Sequence, residues 1–409
     1  MKKLLTTLTA IAALAGAEAR AADCTTVATD PSTIVYVAGS SALRPLLKTL
    51  GPQLAAQAAP NNYTIVYLGS GSCDGVNGIV DGSFKIAAGK SPTYYPSTYT
   101  DPTQPEPTCS ISTATALDLG ISDVFVPTCT GAATPANVGD FLGPAQAMAF
   151  VVPSASTQTA ITAEEAYVLW GFGGTATSGS TTLTSSPWID QTVQFKRPDS
   201  SGTKRILAGV IGVPFSKWKG TEKAGSGDVF NAVSTSTSPE ATIGILGMDY
   251  LDQGNNRSSV KALALASYGQ KYAYYPDSTQ SARDKRNVRD GHYGGLGYAH
   301  LIAAVDSTGA ATKPGPKYVI DLLTDKVAFP AGFDAVTVIG KKAGLVPQCA
   351  MKVKRTAEGG DLSPFDSPRP CGCQFESLFG TPPASCVSCT SSSTCASGGT
   401  CRGGYCEAK

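Results

Sequence analysis

The chain is 409 residues long, carries 32 Lys+Arg against 31 Asp+Glu, and is only 15% charged, well under the ~25% of an average soluble domain. A net charge of +1 without a basic run excludes the electrostatic footprint of a nucleic-acid or acidic-membrane binder, and 42% hydrophobic residues exclude wholesale disorder. Two histidines leave little material for imidazole catalysis or a multi-His metal site, and twelve cysteines suit an oxidising compartment if the chain is exported.

Residues 1–21 read as a secretory signal peptide. Lys2 and Lys3 precede an apolar stretch over 4–17, and Ala19-Arg-Ala21 supplies the small-x-small cleavage site. That stretch is shorter than the ~20 residues of a bilayer span, and Asp23 stands before Cys24 where a lipidated cysteine wants a small residue. The expectation is a soluble exported protein, periplasmic or at the cell surface.

Residues 30–345 alternate strand-like and helix-like runs. A β-branched run over 33–38 ends at Gly39, and residues 42–58 carry Leu43, Leu46, Leu47, Leu50 and Leu54, the stripe of an amphipathic helix. The next strand is expected over 63–68, followed by Gly69-Ser-Gly-Ser-Cys-Asp-Gly75 and a second helical run. Residues 91–115, rich in Pro, Thr and Tyr, read as a surface insertion. A buried strand is expected over 148–152, and Thr162-x-x-Glu165 forms a capping box opening a helix into Trp170. A short strand over 193–195 leads into a helix striped by Ile206, Leu207, Val210 and Ile211. The alternation predicts an α/β protein with a largely parallel sheet.

The cysteines fall into two even groups, Cys24, Cys73, Cys109 and Cys129, then Cys349, Cys371, Cys373, Cys386, Cys389, Cys395, Cys401 and Cys406. Each reads as a closed disulfide set. From Asp361 onward Pro, Ser, Gly and Cys displace the apolar pattern, so a small Cys-rich tail follows a larger body. Cys371-x-Cys373 and Cys386-x-x-Cys389 have zinc-like spacing, but the tail has no His and export favours disulfides.

Three strand-to-helix turns share one chemistry. Gly39-Ser40-Ser41 precedes the leucine-striped helix, with Ser41 as the expected N-cap and Pro45 at the fourth helical position. Gly69-Ser70-Gly71-Ser72 precedes the second helix, and Arg197-Pro-Asp-Ser-Ser-Gly-Thr203 precedes the third. Each presents small hydroxyls and backbone N–H groups at the positive end of a helix, the recipe for an oxyanion site. Arg197 could add a charge-assisted pair. Read one at a time, such turns are ordinary helix caps.

Together these motifs resemble the phosphate-binding proteins that serve ABC transporters. Gly39-Ser-Ser-Ala-Leu-Arg-Pro45 and Gly69-Ser-Gly-Ser72 look like that family's first two phosphate loops. Leu119-Gly-Ile-Ser-Asp123 resembles the strand end carrying its binding carboxylate, and Arg197 to Thr203 matches its Arg-x-Asp-x-Ser-Gly-Thr signature. The resemblance implies a two-lobed type II periplasmic-binding-protein fold with two interlobe crossings. Lobe one would span 24–148 and 291–345, lobe two 149–290, and the Cys-rich tail 346–409.

It also implies that Ser41, the N–H of Ala42, Ser72, Ser201, the N–H of Gly202 and Thr203 donate to phosphate. Arg197 would pair with the anion and Asp199 would orient Arg197. Asp123 would accept the proton that phosphate carries and sulfate lacks. Collinear spacing from the second loop would instead put Lys90 at the carboxylate position. Asp123 takes it if residues 82–117 are an insertion, which the local Leu119–Asp123 pattern favours.

The implied function is capture of inorganic phosphate by a monomer, with an ABC-transporter permease as partner and without catalysis, cofactor, metal or nucleic acid. A surface adhesion or signalling protein acting through its tail is the rival reading. An exported hydrolase is a further one, although no Gly-x-Ser-x-Gly elbow is present and His292 and His300 are its only bases. Arg289 and Asp290, beside His292, are expected to form a local ion pair.

Overall fold

In the computed structural model, which describes residues 21–380, 382–396 and 399–407, the β-branched run forms β1 (Ile34–Gly39) and the leucine stripe forms α1 (Arg44–Ala55). Residues 1–20 of the expected signal lie outside the described range. The next elements are β2 (Thr64–Gly69), α2 (Ser72–Val80), β3 (Thr93–Tyr94), β4 (Leu119–Ser122), α3 (Val126–Thr130) and the long β5 (Val138–Pro153). Then come β6 (Ala160–Thr162), α4 (Ala163–Phe172), and the hairpin β7 (Thr175–Ser178) with β8 (Thr181–Thr184).

A second alternating run follows: β9 (Gln194–Lys196), α5 (Gly202–Ile211), β10 (Thr221–Glu222), α6 (Ser226–Ser234), β11 (Ile243–Gly247) and α7 (Met248–Leu251). After β12 (Val260–Ala262) and β13 (Ala264–Ala266), α8 (Arg286–Arg289) leads into β14 (Leu296–Ala304) and α9 (Pro314–Leu323). The capping box at Thr162 is complete, its hydroxyl accepting from Glu165 N at 3.1 Å while Glu165 Oε2 accepts from Thr162 N at 2.9 Å. Among the described residues no helix is long and apolar enough to cross a membrane.

The α/β class holds, but the sheet is mixed rather than largely parallel. β1 pairs in parallel with β2 and β4, and β9 in parallel with β10 and β11. The strands joining these two parallel sets are antiparallel. The first part of β5 lies against β14, which in turn flanks β4, while the last part of β5 pairs with β11 and β12. The reason is the chain path: β5 leaves the first set and β14 returns to it, so the two cross side by side in opposite directions. β5 is buried from Gly143 to its end, with Gln146 the polar residue inside an otherwise apolar run.

Two cores result. Leu43, Leu46, Leu47, Leu50 and Leu54 pack with Tyr63, Ile65, Tyr67 and the apolar face of α9, each buried leucine being worth about 1.5–3 kcal/mol. The other core joins Phe150, Trp170, Trp218, Ile206, Leu207 and Ile211 to Ile243 and Ile245. Residues 91–115 are more than a surface insertion. Tyr95 and Ile111 are buried, and Cys109 is bonded to Cys24. Proline and threonine content conceals these inward residues from a compositional reading.

The cysteines pair within their two groups: Cys24–Cys109 and Cys73–Cys129, then Cys349–Cys371, Cys373–Cys386, Cys389–Cys401 and Cys395–Cys406. The tail is not one appendage. Val346 exchanges backbone hydrogen bonds with Ala145 at 2.7 and 2.8 Å, and Cys349, Cys371 and Phe375 belong to the second core. The stretch from Cys386 onward ends in a small hairpin (Thr400–Arg402 with Tyr405–Glu407) held by two disulfides, and buried Glu407 ties it to the preceding segment by accepting from Cys373 N and Gln374 N.

Arg289 and Asp290 are not partners. Arg289 pairs with Glu376 at 2.9 Å and Asp290 with Lys352 at 2.9 Å, because successive helical residues point apart. Both contacts fasten the tail to the body.

Candidate functional site

The three serine-rich turns converge on one cleft of 830 Å³. At the first, Ser40 Oγ accepts from Ala42 N at 3.1 Å and Arg44 N donates to Ser41 O at 3.1 Å. This extra turn delays α1, so Pro45 is its second residue rather than its fourth and Leu43, not Ser41, is the N-cap. Ser41 faces the cleft and Ser40 is buried beneath it.

At the second turn Ser70 N and Gly71 N donate to Gly39 O at 2.9 and 3.0 Å, which binds the first two turns together. Gly71 enters α2 at φ 145°, a conformation that a side chain would strain. Cys73 N donates to Ser200 O at 3.2 Å, so the second turn also touches the third.

Asp123, one residue beyond β4, lies at the junction and is 5% exposed. Its Oδ1 accepts from the Ser40 hydroxyl and from Gln146 Nε2 at 2.7 Å, and its Oδ2 accepts from Ser72 Oγ at 3.1 Å. Ser72 Oγ in turn accepts from Asp123 N at 3.0 Å. Asp123, not Lys90, therefore stands beside Ser72; Lys90 is exposed.

In the third turn Ser201 is the N-cap of α5 without a side-chain capping bond, and Ser201, Gly202 and Thr203 all line the cleft. Gly202 comes so close that a Cβ there would fall against Ser72 Oγ and 2.5 Å from Asp123 Cβ.

Arg197 is 9% exposed; its Nη1 donates to Ser226 Oγ at 2.6 Å and its Nε has no partner among the described residues. Burial draws the guanidinium below its ordinary pKa, against the pull of Asp123, Asp249 and Asp228. The expected support by Asp199 is absent. Asp199 accepts instead from Lys204 Nζ, whose side chain is 1% exposed. A buried ammonium requires a counter-charge, and Lys204 in the first turn of α5 takes the nearest one.

Sequence reasoning missed Ser40, Gln146, Ser226 and Asp249. Ser40 was within the motif but its hydroxyl direction was not legible. Gly225-Ser-Gly-Asp228 carries the same small-residue signature ahead of a helix, Gly225 N donating to Asp228 Oδ2 at 2.8 Å, and could have been singled out. Gln146 and Asp249 gave no signal. Asp249 lines the cleft, and burial, with Asp123 nearby, pushes its carboxyl up to about 8.

Neither histidine lines the cleft. His300 is buried with Nδ1 2.6 Å from Asp140 Oδ1, and His292 stacks on Tyr274 at 5.2 Å. The one His/Cys/Asp/Glu cluster of metal-ligand spacing among the described residues, Cys389, Cys395 and Cys406, consists of disulfide sulfurs.

No protein-family model matches the chain, and no curated protein matches its sequence. Solved structures are similar to it. One, from Clostridium perfringens and holding bound phosphate, is described as a phosphate ABC transporter substrate-binding protein. It is 13% identical, with 77% of this chain and 99% of that one covered at a TM-score of 0.49. An ABC-type phosphate transport receptor from Vibrio cholerae is 16% identical, with 76% and 99% covered at 0.45. A DING protein is 14% identical, with 76% and 90% covered at 0.44. Over about three quarters of its length, the chain is similar to solved phosphate-binding proteins.

Proposed function

We propose that the protein is an exported binder of inorganic phosphate, held between two lobes and delivered to an ABC-transporter permease. One observation carries the reading. Ser41, Ser72, Asp123, Arg197, Ser201, Gly202 and Thr203, spread over more than a hundred and fifty residues of chain, line a single cleft. Small hydroxyls and helix N-termini surround one buried arginine, which suits an oxyanion stabilised by hydrogen bonds more than by charge neutralisation. The N–H of Ala42 would join them, although Ser40 Oγ is its present acceptor.

Asp123 makes the ligand specific. A carboxylate at an anion site is repulsive unless it accepts a hydrogen bond, and phosphate at neutral pH carries a proton whereas sulfate carries none. Lobe one would comprise 24–148 and 291–345 and lobe two 149–290. β5 and the segment entering β14 would form the hinge, so that ligand touching both lobes favours closure.

Calorimetric titration with phosphate, sulfate and molybdate tests the reading. Heat from phosphate alone is expected; heat from sulfate without phosphate would sink the role given to Asp123.

A further inference from the structure

We infer that the cleft accepts condensed phosphate, pyrophosphate being the simplest, with one phosphoryl group on the floor and the next at a cationic rim. The inference rests on the phosphate reading of the floor and extends it outward.

Space is the first observation. The cleft measures 830 Å³. A water molecule takes about 30 Å³ of liquid, and a tetrahedral oxyanion of five heavy atoms fills only a few such volumes. The floor is already in contact across the cleft, through the bond from Cys73 N to Ser200 O at 3.2 Å and the approach of Gly202 to Asp123. With those turns already touching, most of the remaining volume lies outward of them.

Charge is the second. The outer acids are already matched. Glu106 lies 3.2 Å from Arg44 and 3.5 Å from Lys48, and Asp252 lies 2.5 Å from Arg257 and 2.6 Å from Lys285. Arg283, Lys341 and Lys342 also line the cleft, and among the described residues none of the three has a carboxylate within ion-pair distance.

Arg283 is held in place by donating to Asp252 O at 3.1 Å. Lys341 and Lys342 end the wide helical turn Val338–Lys342, and the carbonyl of Lys342 accepts from Gln253 Nε2 at 3.1 Å. In a chain whose net charge is only +1, three unmatched cations on one cleft form a local field, and a low-dielectric cleft focuses such a field. A lone orthophosphate on the floor leaves them without use. A second phosphoryl group joined through a bridging oxygen supplies the charge they lack, and its partly protonated form still offers Asp123 a hydrogen bond.

The test is calorimetry on the mature full chain at low salt, with orthophosphate, pyrophosphate and glycerol phosphate, whose glyceryl substituent is neutral. Pyrophosphate is expected to bind about tenfold more tightly than orthophosphate, and glycerol phosphate no more tightly. The double variant Lys341→Gln, Lys342→Gln should lower pyrophosphate affinity by about tenfold while leaving orthophosphate within about twofold. Both side chains are exposed, so the thermal midpoint should not move, which thermal unfolding of the variant checks. Orthophosphate binding without pyrophosphate binding would overturn the inference and leave the phosphate reading intact. Equal loss of both ligands in the double variant would also overturn it, since the rim would then act on any anion. Failure of every phosphate to bind would overturn both.

Discussion

The Ser40 hydroxyl donates directly to Asp123 Oδ1, across 83 residues of sequence. Gln146 Nε2 donates to the same oxygen at 2.7 Å and Ser72 Oγ to the other at 3.1 Å. Three donors thus hold the carboxylate in one orientation with acceptor capacity left toward the cleft. Asp123→Asn replaces that acceptor by a group that can donate. The preference for phosphate over sulfate is expected to narrow by about 1–3 kcal/mol, measured as the ratio of the two dissociation constants. An unchanged ratio would show that Asp123 does not set selectivity.

Arg197 is buried with its Nε unpartnered and one Nη on Ser226. Arg197→Ala should weaken phosphate binding by about 2–5 kcal/mol. Ser226→Ala removes only the orienting bond and should cost about 1 kcal/mol. Calorimetry on the pair separates the charge from its positioning, and similar losses in both would contradict the ordering.

Asp249 has its pKa raised to about 8 by burial and by Asp123, with Asp252 adding to the rise. Arg197 and Tyr250 also face it. Because the folded form keeps a proton that the unfolded form gives up near pH 4, this residue's contribution to stability is present at low pH. It is lost as pH rises toward 8. Ionisation then places a second negative charge beside the anion. Phosphate affinity is therefore expected to fall as pH rises through about 8, and Asp249→Asn should flatten both profiles. Parallel curves for wild type and variant would count against this assignment.

Gly202 admits no side chain, since a Cβ would fall against Ser72 Oγ and Asp123. Gly202→Ala should force the third turn away from the floor, costing about 1–3 kcal/mol in overpacking and abolishing measurable phosphate binding. Retained affinity would mean that the anion does not sit between these turns.

The tail predicts two truncations with different outcomes. Ending the chain before Cys371 removes Phe375 from the second core and leaves Cys349 unpaired, a loss of about 3–5 kcal/mol from the aromatic ring alone. Ending it after Cys386 removes two closed disulfides and Glu407, whose carboxylate accepts from Cys373 N and Gln374 N at 3.0 and 2.8 Å. That cap is worth about 1 kcal/mol, so phosphate binding should survive. Thermal unfolding of both truncated chains decides, and equal destabilisation would show the hairpin to be part of the core.

The sequence by itself determined the local structure: the leucine stripe of α1, the capping box at Thr162, the three small-residue turns and the even division of the cysteines. These are readable because periodicity, capping and turn chemistry act over a few residues. It also carried Asp123 and the Arg197–Thr203 motif, through short patterns each confined to one strand end or helix start.

Tertiary structure alone decided the rest. Ser40 rather than Ser41 lies against Asp123 because an extra turn before α1 sets which hydroxyl points inward. Asp199 answers Lys204 because that ammonium is buried. Gln146 reaches Asp123 from β5, Asp249 enters the cleft from α7, and Arg289 finds Glu376 instead of Asp290, through packing between segments far apart in the chain. The near-balance of charge is legible in composition. That three cations remain unmatched on one cleft is not, because pairing depends on which charges folding brings within reach.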